Sequence, residues 1–99
     1  MLYSIVGTDN ENSLPGRLAA RPDHVDRLIE LKNLGRLILA GPNPAIDNPE
    51  PGEAGFTGSL IVAEFDSLEA AQEWANDDPY IKTSVYKSVE VKPFNKVLP

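Results

Sequence analysis

Two short apolar runs constrain this chain more than any other feature: Leu37-Ile38-Leu39-Ala40 and Leu60-Ile61-Val62-Ala63. Each is too short for a helix, and each is bounded by breakers, Gly35 and Gly41-Pro42 for the first and Gly58 for the second. They read as strands apolar on both faces. Leu2 to Gly7 reads as an earlier strand. Tyr86 to Phe94 alternates, with Val89 and Val91 on one face, and Pro93 suits an edge or a strand end. Between the strands lie two helical patterns. Pro22 opens the first, since proline at a first helical position gives up no hydrogen bond; Val25, Leu28, Ile29 and Leu31 follow at helical spacing, and Gly35 stops it. Before it, Thr8 to Arg21 is polar and turn-rich, with room for one helical turn over Leu14 to Ala20. Asp66 is placed to cap the second helix, with Glu69 three residues on. Leu68, Ala71, Trp74 and Ala75 form its apolar face, and Asp78-Pro79 ends it.

The order βαββαβ predicts an α+β fold of ferredoxin-like topology, an antiparallel sheet with two helices on one face. Such a one-sided sheet alternates apolar and polar residues, and the two apolar runs do not. Something must cover the second face. A second copy is the simplest cover, which predicts a C2 homodimer with sheets face to face. The alternative is a monomer with a small exposed patch. Asn43 to Thr57, with Pro44, Pro49, Pro51, Gly52 and Gly55, reads as a long loop, of the kind that serves function or an interface.

At 99 residues the chain is expected to form a single domain over 1–99, burying about 65% of its unfolded surface. It has no cysteine, which excludes disulfides, thiolate metal sites and a cysteine nucleophile. Its net charge of −6 argues against nucleic acid and against a basic membrane-surface role. No apolar run approaches the roughly 18 residues of a membrane helix, and the start lacks the pattern of a leader peptide. A cytoplasmic location is expected. One histidine without cysteine makes a metal site unexpected, and no phosphate-cradling glycine loop or other cofactor signature is present.

His24 is the single histidine. Its spacing to Leu28 and Leu31 puts it near the apolar helix face. Near a helix start the imidazole is held neutral, and a neutral imidazole serves as a base near neutral pH. A packed, hydrogen-bonded histidine is the alternative. Asp78, before Pro79, reads as a turn former; its other reading is a carboxylate that orients His24. Arg17 and Arg21 flank the start of the His24 helix and suit a planar oxyanion, or are solvated surface charge. Ser59 opens the third strand and either lines a cleft or is structural.

Arg17-Leu18, Arg21-Pro22-Asp23-His24, Gly35-Arg36-Leu37, Ala40-Gly41-Pro42, Ala54-Gly55-Phe56-Thr57-Gly58-Ser59, Ala63-Glu64-Phe65, Asp78-Pro79-Tyr80 and Val91-Lys92-Pro93-Phe94 come in an order and spacing that resembles the YciI-like family. The similarity runs from the first strand to about Val97. It implies a ferredoxin-like fold that dimerises as an α+β barrel and a site centred on a histidine and an aspartate, which fall on His24 and Asp78. Tyr80, in the same motif, joins Arg17, Arg21 and Ser59 as a candidate substrate contact. A related family member is a dehydrochlorinase of a chlorinated hydroxyhydroquinone, and muconolactone isomerases are similar in fold. Leu14-Pro15-Gly16 looks less helical than the same stretch of the family. The expectation is an enzyme without a cofactor, using acid–base chemistry for isomerisation or elimination on a small, oxygenated substrate. A non-catalytic dimeric module that binds a ligand or partner is the alternative, and a purely structural dimer the third.

Overall fold

The computed structural model describes all residues, 1–99. Four strands form one antiparallel sheet: β1 (Leu2–Asp9), β2 (Leu37–Pro44), β3 (Phe56–Glu64) and β4 (Tyr86–Phe94), in the order β2-β3-β1-β4. Helices α1 (Leu14–Asn33), α2 (Leu68–Asn76) and the single turn α3 (Pro79–Lys82) complete the ferredoxin-like α+β arrangement.

Alternation along β1 and β3 shows why the helices occupy one face. Tyr3 and Ile5 of β1 stand beside Ala63 and Ile61 of β3 in register. All four are buried with Leu31 of α1, Ala71 and Ala75 of α2, and Phe65. Val89 and Val91 of β4 pack against the same core, on the shared face that their spacing predicts. The opposite sheet face stays open. Val6, Leu60, Leu39 and Phe94 are exposed there on adjacent strands, with Val6 directly opposite Leu60.

The first helix departs from expectation. It begins at Leu14 rather than at Pro22, and Pro22 lies inside it. A proline interior to a helix costs about 3 kcal/mol because it breaks one hydrogen bond and crowds the preceding turn. Here the buried stripe Arg17, Ala20, His24 and Leu31 runs past Pro22 on both sides, while Pro22 itself is exposed. Burial of that stripe outweighs the local preference. Pro15 in the first turn suits the new start. The helix ends as predicted at Gly35, whose φ of 71° lets Arg36 N–H reach back to the carbonyl of Leu31.

The second helix is capped by Ser67, not Asp66: the Ser67 hydroxyl accepts from the Ala70 amide at 3.0 Å. The second strand does not close at Gly41-Pro42 but continues to Pro44. Edge strands tolerate proline, and β2 is an edge. The long loop therefore shrinks to 45–55, its base closed by the Ala45 amide on the carbonyl of Gly55 at 2.9 Å. No helix is long and apolar enough to cross a membrane.

Candidate functional site

A cleft of about 330 Å³ opens between α1 and the β2–β3 half of the sheet. Leu14, Leu28, Phe56 and Ile61 give it apolar walls. Arg17, Arg21, His24, Ser59 and Tyr80 also line it.

Asp78 is placed by its own backbone. Pro79 disfavours helix at the preceding residue, and Asp78 is extended, at φ −63° and ψ 136°. That conformation suits a helix cap, and its carboxylate accepts from the Tyr80 amide at 2.9 Å. The same carboxylate lies 2.9 Å from His24 Nδ1 through either oxygen. A carboxylate only accepts, so Nδ1–H donates. When the ring is neutral this leaves the lone pair on Nε2, which has no protein partner and is not sealed from the cleft. Tyr80 stacks on the imidazole, ring centres 4.0 Å apart and planes 12° apart. The ring is thus held in its plane by Tyr80 and along its edge by Asp78.

Arg17 is anchored rather than solvated. Its Nε and Nη2 donate to Asp9 at 2.6 and 2.9 Å, and Nη2 also donates to the Gly58 carbonyl and the Ser59 hydroxyl at 2.8 Å each. Ser13 donates to Asp9 as well, at 2.6 Å. The guanidinium lies 4.9 Å from the ring centre of Tyr80 and 5.3 Å from that of Phe56. Only Nη1 is left without a protein acceptor, and it is not closed off. Burial alone would lower the Arg17 pKa, but the hydrogen bond and charge of Asp9 more than offset this and raise it. Arg17 is a fixed cation with one donor to spare.

Tyr80 lines the cleft, and Tyr86 packs edge-on behind it, ring centres 5.4 Å apart. Burial raises the Tyr80 pKa against the pull of Arg17 and Arg21. Burial pushes Tyr86 up to about 12, although the Ser59 hydroxyl and Arg17 pull it the other way. The Tyr86 ring occupies the space above Gly7, where a Cβ would come within 2.6 Å of it. An unfolded tyrosine ionises near 10, so between that pH and about 12 the unfolded chain binds fewer protons than the folded one. Stability therefore falls as pH rises through this window, by about 1.4 kcal/mol per unit for this group. Urea unfolding of Tyr86→Phe and the parent chain should show the variant gaining roughly 2–3 kcal/mol on the parent between about pH 9 and pH 12. A difference independent of pH would contradict this.

The structure brings His24, Asp78, Arg17, Ser59 and Tyr80 together and leaves Arg21 exposed at the rim. Three neighbours escaped the sequence reading: Asp9, Tyr86 and Arg27. Asp9 follows Tyr3, Ile5 and Gly7 at period two, so alternation along β1 could have found it. Arg27 follows His24 by three helical positions, so helical spacing could have found it once the face was known. Nothing local marks Tyr86. No group of three or more acidic or histidine side chains converges to hold a metal.

The sheet order, the helices on one face and a buried histidine–aspartate pair beside an anchored arginine define a small ferredoxin-like α+β protein with a polar site under its first helix. The family model of the YCII-related domain matches residues 1–95, and the chain belongs to that family. It is 57% identical over 97 residues to Protein YciI of Escherichia coli and of Shigella flexneri, covering 98% of this chain and 99% of each relative. An uncharacterized protein of Haemophilus influenzae is 53% identical over the same span. Among solved structures, the 5-chloro-2-hydroxyhydroquinone dehydrochlorinase of Burkholderia phenoliruptrix, in complex with 2,5-dihydroxybenzoquinone, superposes with a TM-score of 0.84. It is 23% identical, over 96% of this chain and 94% of that one, a likeness of fold.

Proposed function

We propose that this protein is an enzyme that moves a proton on a small, oxygenated, cyclic molecule, leading to isomerisation or elimination. The pairing of His24 Nδ1 with the buried Asp78 carboxylate beside the cleft carries this reading. Asp78 holds the tautomer in which Nε2 is the base. Nε2 takes a proton from a carbon next to a carbonyl, and the electron pair moves onto the carbonyl oxygen. The spare Nη1–H of Arg17 meets that oxyanion, with Arg21 at the rim to draw an anionic substrate in. In an isomerisation the imidazolium returns the proton to a different carbon. In an elimination the pair forms a double bond and expels a leaving group with its electrons. Either course is redox-neutral and needs no cofactor. The dehydrochlorinase of similar fold, bound to a small quinone, supports the size class of substrate.

The test is a panel of small hydroxylated aromatic, quinoid and lactone compounds in deuterium oxide, followed by NMR. At least one should exchange a carbon-bound hydrogen or form product in the presence of the protein. Saturable binding with neither exchange nor product would establish the binding-module reading instead.

The open sheet face supports a second statement. Each of the four strands exposes an apolar side chain on this face, Leu39, Leu60, Val6 and Phe94, with the Glu90–Lys92 pair of β4 beside Val6. We infer that two copies pair through this face, sheet on sheet.

A further inference from the structure

We propose that Arg27 is a positioning residue of this site, which acts through Asp78 to set how readily His24 accepts its proton. The inference deepens the acid–base reading and rests on it only for its consequence in turnover. Arg27 stands one turn beyond His24 on α1 and points into the junction of all three helices. Its Nη2 donates to the Trp74 carbonyl on α2 at 2.7 Å, and its guanidinium lies 4.3 Å from the centre of the Trp74 ring. Its Nη1 lies 3.6 Å from Asp78 Oδ2. That Nη1 is also the one buried side-chain polar atom in the structure without a hydrogen bond. A buried donor left unbonded is costly, and such atoms mark sites where something other than stability is served.

The charges explain what is served. Asp78 is 2% exposed and faces two basic groups, His24 at 2.9 Å and Arg27 at 3.6 Å. Arg27 is always charged, so the carboxylate is already partly neutralised before the imidazole takes a proton. Without Arg27 the whole charge of Asp78 would act on the ring and favour imidazolium. A base loaded with its proton in the resting state cannot take one from a substrate. The remaining groups around His24 do not replace this control. Arg21, one turn earlier on α1, is exposed; Tyr80 of α3 stacks on the ring, and Arg17 and Tyr86 of β4 lie beyond Tyr80.

The test follows the single histidine by NMR, without substrate. In Arg27→Gln the charge is gone, and the amide, ending where the Arg27 Nε lies, falls short of the Trp74 carbonyl. His24 should then bind its proton about tenfold more tightly, titrating about one pH unit higher than in the parent chain. Arg27→Lys, which restores the charge, should return it most of the way. A role confined to bracing α2 would change unfolding without moving the His24 titration. A folded Arg27→Gln chain whose His24 titrates with the parent overturns the inference. In the parent itself, the Arg27 Nε–H resonance should move with the His24 midpoint, and a flat trace overturns the inference even where the variant does not fold. Because no turnover is read, either outcome leaves the proposed activity to its own test.

Discussion

His24→Ala should leave the fold standing and cut the turnover proposed above by about 10²–10⁴-fold, the usual contribution of one general base. The substitution removes Nε2, the group in the site with a free lone pair on the cleft. It also removes a ring stacked on Tyr80, so some loss of stability accompanies it. Asp78 is not orphaned, since the Tyr80 amide and Arg27 still face it. His24→Asn separates the two effects. Asparagine keeps a donor for Asp78 but offers no base, so it should be as inactive as alanine while recovering stability. Thermal melts and turnover on the same samples check this. An alanine variant that turns over at the parent rate would remove His24 from the chemistry.

Leu60→Asp should convert the proposed dimer to a folded monomer. Leu60 is exposed at the middle of the open sheet face, beside Val6 on β1 and across from Gly41 on β2. A face-to-face dimer would bury two copies of the new carboxylate, and Lys92, the base on that face, is already paired with Glu90 at 2.8 Å. Desolvation costs several kcal/mol for each ion, so the dissociation constant should rise on the order of 10³-fold or more. In the isolated chain the same position meets water, so the fold should not suffer. Sedimentation at micromolar concentration reads the result directly. A parent chain that already sediments as a monomer would end the dimer proposal.

The element order, the stop at Gly35, the alternation of β4 and the ferredoxin-like class were legible because each rests on neighbours within a few positions. Breakers bound the strands, and the shared face of Val89 and Val91 follows from a period of two. The places where that reading failed are equally physical. Pro22 looks like a helix start because its local preference is strong, but a stripe of buried residues carries α1 through it. Asp78-Pro79 looks like a helix end and is also a helix beginning, the cap of α3. Pro42 and Pro44 look like strand terminators, and only the edge position of β2 permits them.

The site divides in the same way. The sequence by itself supplied the residue types: a lone histidine on a helix face, an aspartate fixed by the proline after it, and arginines near the same helix. The family resemblance selected His24 and Asp78 among them. Their contact is a tertiary fact, because 54 positions separate them and no local rule spans that distance. The tertiary structure alone decided that Arg17 is locked to Asp9 while Arg21 remains at the rim, and that Arg27 shares Asp78 with His24. Helical spacing offers both arginines the same face of α1. Which of them is buried depends on where β1 places a carboxylate and where α3 begins, and those are set by packing across the whole chain.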